Sequence, residues 1–143
     1  MKDPIKEPVT DPILEARRYV ENARKTLNDN GKLDVETHHY RDRKYVRAAG
    51  HYLWSGVLIA LEAVFHLKTA RHKRIHVEEY KQAATQRDKK LLCWINDGYE
   101  VMHLNMGYDG ILSKPSCDDG FRLANSIIDR CALLLQSQGV ALG

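Results

Sequence analysis

Between Lys44 and Lys68 the chain carries no proline, and its apolar side chains recur at the spacing of an α-helix. Val46, Leu53, Val57, Leu61 and Val64 form one stripe. Ala49, Gly56, Ala60, Ala63 and Leu67 form a second beside it, built mostly of small residues. A helix with two adjacent apolar stripes has to touch two neighbours, so it belongs inside a bundle. The small stripe lets one of those neighbours come close.

The rest of the chain supplies the neighbours. Residues 1–10 hold Pro4 and Pro8 among charges and read as an extended, disordered arm. A first helix opens at Asp11, a capping residue, with Pro12 in the first position and Glu15 at the positive end of the dipole. Ile13, Ala16, Val20, Ala23 and Leu27 form its apolar face, and Gly31 is expected to close it in a left-handed cap. Residues 32–40 fit either a loop or an early start of the second helix, which begins firmly near Asp42 and runs to Lys68. The linker 69–76 is basic. A third helix is expected over 77–106, with polar Val77–Gln86 as a possible separate piece. Its core pattern is Leu91 or Leu92, Ile95, Tyr99, Met102 and Met106. Gly107–Gly110 and Lys114-Pro115 read as turns. A fourth helix is expected from Ser116, with Asp119 in a variant of the capping box and Phe121, Ala124, Ile127, Ile128, Cys131 and Leu134 or Leu135 facing inward.

The sequence carries no strand signal, so the fold expected is all-α. It is an antiparallel up-and-down four-helix bundle over residues 11–136, followed by a tail from 137 to 143. The chain's 143 residues suit one domain. Three widely spaced cysteines without a CxxC argue against a disulfide framework and point to a reducing, cytoplasmic setting. The N-terminus has no apolar stretch of the kind a signal peptide needs, and no uncharged apolar run reaches the length of a membrane span. A net charge of +3 is too mild to demand a nucleic-acid partner.

Two segments together resemble the HEPN-like class of small bacterial helical bundles. The first is Ala16-Arg-Arg-Tyr-Val-Glu-Asn-Ala23, followed by a second helix in which Tyr52, Ser55 and Gly56 precede Leu58-Ile-Ala-Leu-Glu-Ala63. The second is Tyr99-Glu-Val-Met-His-Leu-Asn-Met-Gly-Tyr-Asp109, similar to the end of that class's third helix, where a tyrosine–aspartate pair recurs. Within the class the chain looks closest to an uncharacterised family. The resemblance implies a role as a companion of a nucleotidyltransferase or as an RNA-cleaving enzyme. Nuclease members of the class place an arginine a few residues before a histidine near this helix end. Here His103 is present without the arginine.

Several residues deserve weighing as chemistry. Arg71 with His76 has the nuclease spacing but sits in the linker between helices 2 and 3, where a solvated basic turn accounts for it. His72 and His76 are four apart, as zinc ligands on a helix would be, but the segment lacks helical periodicity. His38 and His39 are neighbours that point apart. His51 lies one turn from Arg47. A buried histidine bonded to a neighbouring helix is the plain reading, and a ligand-facing pair is the sharper one. Tyr108-Asp109 is expected to end a helix, with the aspartate bonded to backbone. Tyr45, Tyr52, Trp54 and Trp94 are expected in the core or at an interface.

Basic residues concentrate in 41–47 and in 68–90, toward opposite ends of helix 2, which does not make one continuous groove for a nucleic-acid backbone. No phosphate-binding glycine loop, nucleophile elbow or dinucleotide fingerprint occurs. The reading that follows is a cytoplasmic, non-enzymatic binding bundle without metal or cofactor. It is expected to act as a homodimer or with a companion protein such as a nucleotidyltransferase. An RNA-cleaving enzyme using His103, or Arg71 with His76, is the alternative. A small-ligand site near Arg47, His51, His103, Tyr108 and Asp109 is the third possibility.

Overall fold

The computed structural model describes residues 11–66 and 77–142, with side chains through Gln138. The arm 1–10, Leu67, Lys68 and the linker with Arg71, His72 and His76 lie outside the described residues. Helix α1 spans Pro12–Asn30, with Asp11 Oδ1 accepting from the Ile13 and Leu14 N–H groups at 3.0 and 3.1 Å. Its buried face is Ala16, Val20, Ala23 and Leu27, as the spacing predicts.

Gly31 corrects the expected cap. Its φ is −70°, and the left-handed residue is Lys32, at φ 57°. Glycine is needed at 31 for room instead. A Cβ there would stand 2.6 Å from the Leu27 carbonyl oxygen and 2.8 Å from Tyr40 Cδ1.

Residues 32–40 are neither loop nor helix. Strand β1 (Leu33–Asp34) pairs antiparallel with β2 (His39–Tyr40), in the register Leu33 with Tyr40 and Asp34 with His39. Asp34 Oδ1 accepts from the Glu36 N–H at 3.0 Å and closes the turn. The hairpin is stitched to the chain ahead of the last helix, since Tyr40 N–H donates to the Leu112 carbonyl and Lys114 N–H to the His38 carbonyl.

Helix α2 (Arg43–Phe65) starts at its Asp42 cap and ends at His66, which is left-handed at φ 52°. Every residue of the larger stripe is buried, and so are Ala49, Gly56 and Ala60 of the smaller one. α2 is long and apolar enough to cross a membrane by length and composition, but half of that stretch is buried by its neighbours, as in a core helix.

The expected third helix is three pieces. α3 (Val77–Arg87) is separate, α4 (Lys89–Gly98) restarts at Asp88, and Tyr99–Tyr108 is a π-helix. Of the two leucines offered for the core, Leu91 is the buried one. Helix α5 runs from Lys114 to Leu142. It starts two residues before Ser116. Ser113 Oγ accepts from the Ser116 N–H at 3.4 Å, and Pro115 occupies the first turn, where its missing N–H costs nothing. The expected tail from 137 continues this helix, and Gln138 Nε2 donates to the Val64 carbonyl at 3.3 Å.

The fold is all-α apart from the hairpin. α2 packs on α1, on α5 and on the π segment. Ala16 lies against Gly56 and Gly31 against Tyr40, so α1 runs opposite to α2. Gly107 lies against Gly50 and Tyr99 against Trp54, so the π segment also runs opposite to α2. Gly120 approaches Leu53 and Gln138 reaches Val64, so α5 runs with α2.

Candidate functional site

Arg43, Arg47 and His51 are spaced four apart on α2, so they form one row along the helix. The π segment and the turn after it run beside that row. The Asp109 N–H donates to the Leu104 carbonyl at 2.8 Å, five residues back, and Gly110 then turns the chain at φ 64°. π-helices are rare, and they concentrate at functional sites. This one buries Met102 and Met106 fully and brings Gly107 against the backbone of α2 at Gly50.

The row meets the turn side chain by side chain. Arg43 Nη1 donates to the Asp109 carbonyl at 2.9 Å. A Cβ on Gly110 would strike the Arg43 stem and stand 2.9 Å from Arg47 Cγ and 3.1 Å from Arg47 Nε. Both arginine stems therefore lie across a glycine that is doubly required, by its positive φ and by its missing side chain. The His51 ring lies beside Gly107, where a Cβ would stand 3.7 Å from Nδ1. Tyr108, at the same turn, is 75% exposed.

Of the five residues named from sequence, Arg47, His51, Tyr108 and Asp109 thus gather at one end of the α2–π seam. His103 lies further along it, half-buried, with its ring 5.0 Å from Tyr99 and 6.1 Å from Trp54. Two expectations change. His51 is exposed, because Gly50, Leu53 and Trp54 take the inward faces of that turn. Asp109 ends the π-helix through its backbone N–H and carbonyl. Arg43 and Gly110 are the residues sequence reasoning missed. The signal for Arg43 was its position one turn before Arg47, and for Gly110 the Asp-Gly turn.

The other candidates are placed elsewhere. Trp54 is buried, and Tyr45 and Trp94 are half-buried under Lys44 and Lys90. Tyr52 is 37% exposed and meets Tyr19 edge-on at 6.4 Å. Arg87 stacks on Phe65, at the opposite end of α2 from Arg43. Among the described residues no group of three or more His, Cys, Asp or Glu side chains is placed to hold a metal ion. Cys117 and Cys131 are fully buried, and burial pushes both thiols up to about 12, so neither supplies a thiolate at neutral pH. Cys93 is exposed.

Comparison with known proteins adds kinship without an activity. The model of a family described as a domain of unknown function (DUF5618) matches residues 11–132. A solved structure, a protein of unknown function from Dyadobacter fermentans, is 38% identical and superposes with a TM-score of 0.76. The match covers 87% of this chain and 95% of that one. No curated protein matches.

Proposed function

The chain belongs to the DUF5618 family, and on that premise we propose that it is a HEPN-like, antiparallel four-helix bundle that works by binding rather than by catalysis. The alternating sense of α1, α2, the α4–π rod and α5 supports the bundle class, with α3 and the hairpin as additions to it. The observation that carries the functional reading is the outer edge of the α2–π seam. Arg47, His51, Tyr108 and Asp109 are all exposed there. Among the described residues no hydrogen bond or ion pair engages the side chains of Arg47, His51 or Tyr108. A rigid helix presents them and a π-helix buttresses them, which suits recognition.

The partner in this reading is a second copy of the chain or a cytoplasmic companion such as a nucleotidyltransferase. Exposed apolar side chains, among them Leu104 and Leu133, favour protein contact. We expect size-exclusion chromatography with light scattering to give twice the 16.4 kDa chain mass. A strict monomer at high concentration removes self-association. The same preparation, incubated with mixed RNA, is expected to leave it intact. Cleavage that disappears in His103→Ala would replace binding with an RNA-cleaving reaction using that histidine as acid or base.

A further inference from the structure

We infer that the outward side of α2, centred on Ser55, is the surface on which two copies of this chain meet, their α2 helices antiparallel across a two-fold axis. The inference rests on the reading that the chain pairs with itself, and adds the face and the sense of the pairing.

The first observation is what α2 shows to solvent. A helix packed on the outside of a soluble bundle ordinarily carries charges along its outer side. From Ala48 to Phe65 the one Asp, Glu, Lys or Arg side chain is Glu62. α1, α5 and the π segment take the other sides of the helix. Along the outward side run Tyr45, Ala48, Tyr52, Ser55, Ile59 and Glu62, alternately three and four apart. Tyr52, Ser55 and Glu62 are exposed, and Tyr45, Ala48 and Ile59 are half-buried. Tyr19 of α1 meets Tyr52 edge-on and widens the strip.

That alternation is the spacing by which two helices pack along their length, side chains of one entering gaps in the other. The apolar stripes that face the core account for the inward sides of α2, and this row is additional to them. The small Ala48 and Ser55 leave gaps between the larger Tyr45, Tyr52 and Ile59, so the row offers both knobs and holes. A surface that carries both is able to fit a copy of itself, as a two-fold interface requires.

Charge sets the sense. Lys44 and Arg47 stand at the start of the strip and Glu62 near its end. Among the described residues no ion pair engages Lys44 or Glu62. A parallel pair would set Glu62 against Glu62. Antiparallel helices centred on Ser55 set each Glu62, about 10 Å past the axis, opposite Ala48 of the second copy and one turn from its Lys44. Two such pairs flank an apolar middle, the polar-rim arrangement that interfaces share. They fix register and sense more than they add affinity.

The test uses the full chain with Cys93→Ser as the background, since Cys117 and Cys131 are fully buried and Cys93 is exposed. Position 55 lies on the axis, so a thiol there meets its own copy. We expect Ser55→Cys to give a disulfide-linked dimer on oxidation with copper phenanthroline, read on a non-reducing gel. Leu133→Cys, exposed on α5, is the control and is expected to stay a single chain. Ser55→Arg, which brings two guanidinium groups together at the axis, is expected to raise the dimer dissociation constant about a hundredfold by light scattering. Glu62→Lys is expected to raise it about tenfold, and Lys44→Glu added to it to restore pairing. Circular dichroism verifies that these exposed positions accept the changes without unfolding.

The outcomes separate the face from the wider reading. A dimer that Ser55→Arg leaves intact, or that fails to cross-link through Ser55→Cys, overturns this face while self-association stands. Cross-linking through Leu133→Cys as readily as through Ser55→Cys overturns it as well. Failure of Lys44→Glu to rescue Glu62→Lys overturns the antiparallel sense. A strict monomer overturns the inference and self-association together, and leaves a companion protein as the partner.

Discussion

Gly50→Ala is expected to lower the melting temperature by roughly 7 °C, against the sign that helix propensity alone gives. Alanine in a helix interior favours the helix over glycine by about 1 kcal/mol. Here the new Cβ would stand 2.5 Å from the Gly107 backbone nitrogen, 2.7 Å from Met106 Cβ and 2.8 Å from the Met102 carbonyl oxygen. Two of the three atoms are backbone, so no rotamer change relieves them. α2 cannot retreat either, because α1 and α5 hold its other sides. Overpacking of this kind costs about 3 kcal/mol at the upper end of its usual range. The same shift would draw Gly107 from His51 and Gly110 from Arg47, so the exposed edge of the seam should loosen with it. Differential scanning calorimetry decides the matter, and a rise in melting temperature would mean that α2 and the π segment are not in backbone contact.

That contact also marks how far sequence reasoning reaches. α1 was legible because it declares itself twice, by a capping aspartate and by an apolar period, and α2 by a two-striped apolar period that neither a strand nor a loop imitates. The two-sided burial of α2 followed from its two stripes, and the structure seats α1, α5 and the π segment on them. The split after Arg87 was half legible: the polar run pointed to a separate piece, but not to Asp88 as the cap that restarts the chain.

The misses have a common cause, since each depends on a neighbour distant in sequence. Two-residue strands are too short to alternate, so the hairpin left no period to read. Its place is set by Leu112 and Lys114 on the far side of the chain. The π-helix keeps the spacing of Tyr99, Met102 and Met106 that an α-helix also uses, so the pattern could not tell them apart. Gly31 looked like a left-handed cap because the identity of the residue says nothing of whether space or φ is the constraint. In the site, Arg47 and His51 were found because one helix places them. Arg43 was overlooked because its meaning comes from Gly110, which lies across the seam.

Asp88 is where acid should act on the fold. It is 7% exposed, and it caps α4 by accepting from the Leu91 N–H at 3.0 Å while Arg130 Nε donates to its other oxygen at 2.6 Å. Burial pushes the carboxyl up, but the Leu91 N–H and the Arg130 guanidinium outweigh it and hold the group below the ordinary carboxylate value. The sign follows from linkage. A folded value below the unfolded one means stability that is fully present above about pH 4 and is lost as pH falls through the folded value. Asp88→Asn should cost about 2 kcal/mol at pH 7, less than a fully buried pair, because Arg130 is 39% exposed and regains water. Asp88→Ala should cost about 1 kcal/mol more, for the lost cap. Urea unfolding from pH 7 down to pH 2 is expected to bring wild type and Asp88→Asn together at the acid end. Other carboxylates held low, such as Asp34, are common to both proteins and cancel in the difference. A gap that stays constant to pH 2 would mean that the Asp88 charge adds nothing to the hold of α4 on α5.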